Sequence, residues 1–158
     1  MKIEIVVIGK TSSKLISEIA NEYLLRTKNC AIKTKIIQSR KQNLPVDLQR
    51  QTEGKDLLKA IGSNDFLILL DDKGQEFTSI EFAHWLEKHQ HTTKNLVFAI
   101  GGAYGFAKEV YDRSNYLLSL SKMTFSHQIV RAIFAEQLYR ATTIISGTPY
   151  HHEGSGLE

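Results

Sequence analysis

Residues 117–140 read LLSLSKMTFSHQIVRAIFAEQLYR, and the order of residue types in this stretch decides the fold. It opens as a short apolar strand, passes through a tight polar segment from Ser119 to Phe125, and then enters a helix. Val130, Ile133, Phe134, Leu138 and Ala141 recur at three-to-four spacing, which buries one side of that helix. His127 and Arg131 lie four apart in its first turns and share a face. A strand that hands a polar loop to a helix N-terminus is a common way to build a small-ligand site. A second junction lies just upstream, where the apolar strand Leu96–Ile100 runs into Gly101-Gly102-Ala103-Tyr104-Gly105. The expectation is that these two turns face each other and hold one cofactor.

Working outward, the same strand-and-helix rhythm extends through the chain. Lys2–Ile8 and Ala31–Ile37 read as strands, the second with Lys33 and Lys35 outward. Between them, a helix capped by Ser12 or Ser13 runs to about Lys28, with Leu15, Ile16, Ile19, Ala20, Tyr23 and Leu24 on its apolar side. Asp47 and Ser79 are the expected caps of a second and a third helix. The run FLILL before Asp71-Asp72-Lys73-Gly74 is apolar throughout, as in a strand covered on both faces of a parallel sheet. Strands alternating with helices at this spacing predict an α/β fold, a mostly parallel sheet flanked by helices. The sequence reads as one domain over residues 1–153, followed at 154–158 by GSGLE, which looks like a linker remnant.

Composition narrows the function classes. No apolar run approaches the roughly 18–20 residues that span a bilayer, and MKIEIVVIGK reads as a first strand, not an export signal. Cys30 is the single cysteine, which excludes an internal disulfide and a cysteine zinc site. A cytoplasmic location is therefore expected. Net charge is only +3, but residues 1–60 carry 12 Lys/Arg against 6 Asp/Glu. Such asymmetry suits an anionic partner met by one surface, or simply a solvated face.

The candidate chemistry is sparse. The glycine turn lacks the pattern of a dinucleotide fingerprint. His84, His89 and His91 are spaced five and two apart and do not share a helical face, so no metal is expected. Asp71 and Asp72 suit a cation, a ribose or turn capping. No nucleophile elbow, P-loop or paired-carboxylate motif is present. A site of backbone turns, glycines and hydroxyls suits a cofactor that brings its own reactivity, and a sulfonium methyl donor is one.

Five segments then carry a resemblance: MKIEIVVIGK, LLDDKGQEFTS, LVFAIGGAYGF, RSNYLLSLSKMTFSHQIVRAIFAEQLYRA and GTPYHHE. In this order, across nearly the whole chain, they resemble the SPOUT-class methyltransferases that form N3-methylpseudouridine in large-subunit ribosomal RNA. The resemblance implies a C-terminal deep trefoil knot and a homodimer in which each cofactor pocket is completed near the partner. It maps an S-adenosylmethionine pocket onto Leu70, Gly101, Gly102 and the loop Leu120, Ser121, Lys122, Met123, Thr124 and Phe125. It also implies that the C-terminal pair Tyr150 and His151 closes over that pocket. Ser126 departs from the family's usual proline, which leaves the loop less constrained but supplies a good N-cap.

Because the imide nitrogen of pseudouridine is largely protonated at neutral pH, methylation there calls for a proton acceptor. His127 and the Tyr150-His151 pair are the candidates. Arg131 is expected to hold an RNA phosphate or orient the base, with a structural ion pair as the rival. Lys10, Arg26, Lys33, Lys35, Arg40 and Lys41 are the candidate phosphate contacts, which position RNA without reading its sequence. A substrate recognised by shape, the assembled ribosome, is expected. A catalytically silent RNA-binding assembly factor on the same fold is the alternative.

Overall fold

A computed structural model describes residues 1–38, 43–91 and 95–152. Arg40, Lys41 and the segment 153–158 lie outside the described residues. Five strands, β1 (Lys2–Ile8), β2 (Ala31–Ile37), β3 (Phe66–Glu76), β4 (Leu96–Ile100) and β5 (Tyr116–Ser119), alternate with five helices. The helices are α1 (Lys14–Arg26), α2 (Val46–Ala60), α3 (Ser79–Gln90), α4 (Lys108–Arg113) and α5 (Ile129–Ser146). The strands form one sheet in the order β2-β1-β4-β3-β5, and every pairing is parallel.

Strand alternation sends side chains to two cores. Ile3, Ile5 and Val7 of β1, Ile68 of β3 and Leu96, Phe98 and Ile100 of β4 pack with Phe82, Leu86, Phe134 and Leu138 from α3 and α5. Their neighbours Val6, Ile8, Leu67, Leu69, Val97 and Ala99 pack on the other face with Leu57 of α2 and Val110 of α4. Helix α1 joins the α5 layer, where Tyr23 meets Tyr139 at 5.9 Å. It buries none of its residues fully, and Leu15 and Ile19 stay 72% and 45% exposed. Of the expected apolar face of α1, Ile16, Ala20, Tyr23 and Leu24 are half-buried, and Leu15 and Ile19 are left uncovered within this chain.

Three local expectations need correction. Val46 begins α2 with Pro45 at the cap position, so Asp47 sits inside the first turn and does not cap it. Thr78, not Ser79, caps α3: its Oγ1 accepts from Glu81 N and Glu81 returns the bond to Thr78 N, a capping box. Strand β3 does not stop at Leu70. Both Leu70 and Gln75 lie opposite Leu118 of β5, so residues 71–74 form an irregularity within a longer strand. Gly74 permits it, because a Cβ there would lie 2.6 Å from the backbone of Leu117 and Leu118.

Candidate functional site

The C-terminal ends of β4, β3 and β5 are adjacent, and ligands of open parallel sheets bind beyond such ends. A cleft of about 280 Å³ opens there. The β4 side gives Ile100, the glycine turn and Phe106; β3 gives Leu70, Asp71 and Asp72; β5 and its loop give Leu118 to Ser121 and Met123 to Phe125. His127 and Val130 close it at the start of α5. The two strand-to-helix junctions face each other across β3. Leu70, Gly101, Gly102, Leu120, Ser121, Met123, Thr124 and Phe125 all line the cleft, whereas Lys122 is exposed and outside its walls.

Gly105, and not Gly101 or Gly102, has a positive φ, 73°. Gly105 N donates to Gly102 O at 3.2 Å, closing the turn. Gly102 is needed for room instead: a Cβ would sit 3.2 Å from Glu53 Oε2 and 3.6 Å from Ile8 Cγ2.

The opposite loop shapes itself through its hydroxyls. Ser119 Oγ donates to Ser121 O at 2.8 Å, and Ser121 Oγ accepts from Met123 N at 2.9 Å. Thr124 Oγ1 donates to Asp72 Oδ2 at 3.4 Å across the mouth. Ser126 Oγ accepts from Ile129 N and its carbonyl from Val130 N, which braces the turn ahead of α5, but the N-cap position is Gln128, without a side-chain cap, and not Ser126 as expected. Asp71 is fixed twice, by Lys73 N at 2.9 Å and by a short bond from the Tyr111 hydroxyl. Burial first, and then that bond to Asp71, push the Tyr111 hydroxyl well above its ordinary pKa.

Arg131 does not reach the cleft. It is 5% exposed and turned inward, donating to Ile8 O at 2.8 Å, Gly9 O at 2.9 Å, Thr11 Oγ1 at 3.0 Å and His127 O at 3.1 Å. Its partners are main-chain carbonyls and a hydroxyl, and the ion pair considered as the rival role is not among them. The reason is geometric: the carbonyls at the end of β1 point at the first turn of α5, and a planar fork of donors satisfies several at once. Burial lowers the guanidinium pKa.

Tyr150 and His151 also lie away from the cleft of their own chain. Gly147, at φ 67°, ends α5, and Thr148 N returns to Thr143 O at 2.9 Å. The tail then folds back on α5. Tyr150 packs against Tyr139 at 4.7 Å, donates to Glu136 Oε1 at 3.1 Å and lies under the Arg140 guanidinium at 4.7 Å. His151 Nδ1 is 3.3 Å from Arg140 Nη1. Arg140 in turn pairs with Glu136. Arg26, expected at a phosphate, stacks on Tyr139 at 4.7 Å. Ten helical residues, roughly 15 Å, separate Val130 at the cleft from Arg140.

A family model described as "Predicted SPOUT methyltransferase" matches residues 1–151. The chain belongs to the SPOUT methyltransferase family. Curated relatives of this SPOUT chain carry the name "Ribosomal RNA large subunit methyltransferase H". Those from Parabacteroides distasonis and Phocaeicola vulgatus are 49% and 48% identical over 157 residues, 97% of this chain and all of theirs. A third, from Christiangramia forsetii, is 44% identical over 156 residues, 96% of this chain and 99% of its own length. Membership implies a methyl donor. Among the described residues no group of three His, Cys, Asp or Glu could hold a metal, and no helix is long and apolar enough to cross a membrane.

Sequence reasoning missed Glu53, Gly74, Tyr111 and the inward turn of Arg131. None belongs to a motif with a local signature, because each acts on main chain or on a side chain remote in sequence.

Proposed function

We propose that this protein methylates N3 of a pseudouridine in large-subunit ribosomal RNA, on the assembled ribosome, with S-adenosylmethionine as the donor. The observation that carries the reading is the end-to-end similarity to ribosomal RNA large subunit methyltransferases, with nothing of their length left uncovered. The cleft fits the donor chemically. Its walls are main-chain turns and apolar side chains, and its charged lining residues among those described are Asp71 and Asp72, with no Lys or Arg. Such a site favours a cationic sulfonium ligand.

When bound, the donor supplies an electrophilic methyl group, so the protein's task is alignment and proton removal. Leu70, the turn at Gly101 and Gly102, and the loop Leu120, Ser121, Met123, Thr124 and Phe125 would hold it. His127, on the cleft wall, is positioned to accept the N3 proton directly or through a water. Arg131 serves by fixing the His127 carbonyl and the end of β1, not by touching RNA. Tyr150 and His151 act, in this reading, in the cleft of a second copy. Two features support a homodimer: the tail sits roughly 15 Å along α5 from its own cleft, and Leu15 and Ile19 of α1 lie exposed one turn apart. The proposal includes the trefoil knot implied by the resemblance. A cytoplasmic enzyme acting as a single domain over residues 1–153 follows from the same reading.

The test is mass spectrometry of large-subunit rRNA from a deletion strain, before and after incubation of its ribosomes with purified protein and S-adenosylmethionine. One added methyl on one pseudouridine is expected. Calorimetric binding of S-adenosylmethionine and S-adenosylhomocysteine runs beside it. Absence of both binding and transfer would overturn the reading, and binding without transfer would favour an assembly factor. His151→Ala is expected to keep donor binding and slow transfer.

A further inference from the structure

Glu53 is a buried carboxylate that the reaction as derived so far does not use. It is 4% exposed and shares the inner face of α2 with Gly54 and Leu57. A charge placed in such a helix–sheet layer destabilises the fold unless it is well paired, and a leucine-like side chain would fill the layer more favourably. Two neighbours of Glu53 are Gln49 and the glycine turn. Gln49 Nε2 donates to its Oε1 at 3.1 Å. Its Oε2 lies 3.2 Å from the position a Gly102 side chain would take, and its Oε1 lies 3.8 Å from it. Gly102 is one of the cleft's own walls. The bare α-carbon of Gly102 therefore presents one side to the ligand space and the other to Glu53.

Gly54, the next residue on α2, makes that approach possible. A Cβ at Gly54 would lie 3.0 Å from Ala107 Cβ and 3.1 Å from Val110 Cγ2, so only glycine lets α2 settle this deeply against α4. The pair Glu53-Gly54 thus sets α2 close and puts a carboxylate behind the glycine turn.

We propose that Glu53 is a positioning residue of the donor site, buttressing the turn from Gly101 to Gly105 so that its inner face is preformed for the ligand. This rests on the reading of the cleft as an S-adenosylmethionine site. Glu53 does not touch the donor or the base. Its effect is on how well the turn is organised, so it acts on donor affinity and leaves transfer at saturating donor nearly unchanged.

The experiment is a double-mutant cycle read by calorimetry on the intact protein. Glu53→Gln, which keeps the shape, should stay within about threefold of wild type, whereas Glu53→Ala removes the buttress and should raise the dissociation constants of S-adenosylmethionine and S-adenosylhomocysteine together by about tenfold. In turnover with ribosomes the donor KM should rise by the same factor and kcat should stay within twofold. Gly102→Ala, which crowds the carboxylate, should weaken binding in the wild-type background and cost several-fold less beside Glu53→Ala, where the carboxylate is gone. Circular dichroism and thermal unfolding select variants that are folded, and Glu53→Asp should not rescue, because its shorter side chain stops short of Gly102. Donor affinity within twofold of wild type in a folded Glu53→Ala variant overturns the proposal, as does strict additivity in the cycle. Wild-type protein that binds neither sulfur ligand would instead sink the functional reading itself.

Discussion

Replacing Arg131 by methionine separates a clamp from a catalytic group. The substitution keeps an unbranched apolar stem and deletes four hydrogen bonds, to Ile8 O, Gly9 O, Thr11 Oγ1 and His127 O. They do not count equally. Gly9, Thr11 and His127 are half-buried, so water can replace the arginine and the net loss at each is small. Ile8 is 3% exposed, and its carbonyl loses a partner that water does not replace, at about 1–3 kcal/mol. Relief of the burial that lowers the guanidinium pKa offsets part of the loss. The net expectation is about 2 kcal/mol, the middle of the range for an unsatisfied buried carbonyl. For a domain of this length that corresponds to a melting temperature lower by roughly 4–8 °C. Urea unfolding with a fitted slope gives the stability directly, and donor binding at 10 °C, where the variant remains folded, should be weakened because His127 O loses its anchor. Unchanged stability together with abolished methyl transfer would refute the clamp and return Arg131 to the RNA.

Other consequences can be checked in the same preparations. Gly74→Ala forces a Cβ to within 2.6 Å of the Leu117–Leu118 backbone, so β5 must move; a loss of about 3 kcal/mol in urea unfolding, the upper end for overpacking, is expected. Ser126→Ala removes the hydroxyl acceptor of Ile129 N and should cost about 1 kcal/mol, with the loop at Met123 becoming more accessible to limited proteolysis. Tyr111 keeps its proton more tightly folded than unfolded. Its contribution is therefore fully present below pH 10, the ordinary tyrosine value, and is lost as pH rises above it. Tyr111→Phe should reduce that alkaline loss in a pH series of melting temperatures, leaving the shares of Tyr150, whose hydroxyl is also raised by burial and by its bonds to Tyr23 and Glu136, and of Tyr116 and Cys30, both raised by burial.

Much of the architecture was legible because its cause is local. The alternation of Ile3, Ile5 and Val7 with Val6 and Ile8 is written in neighbouring residues, and both faces of β1 are covered as a parallel sheet demands. The pairing of two turns around one cleft was legible for a similar reason: glycines and hydroxyls sit at two strand ends. Strand order was not, since β5 beside β3 depends on packing between distant segments. The extension of β3 past Leu70 was hidden because Asp71-Asp72-Lys73-Gly74 has the composition of a turn and behaves as an interruption inside a strand. The cap at Thr78 could have been found, since Thr-x-x-Glu spacing to Glu81 is a capping-box signature. Arg131 and Glu53 could not: one binds main chain more than 120 residues earlier, and the other is set against a glycine on a different crossover.

The position of β5 bears on how the chain acquires its function. It skips β4 to pair with β3, and its loop forms the last wall of the cleft. Contacts of this separation form slowly, because the closure entropy of a long segment must be overcome before any pairing rewards it. During synthesis the chain therefore has four of the five strands of its sheet available while the ligand site is still open on one side. Affinity for the donor arrives only with the final strand and helix, and ligand-dependent thermal stabilisation would report completion of the entire fold, not the presence of any one part of it.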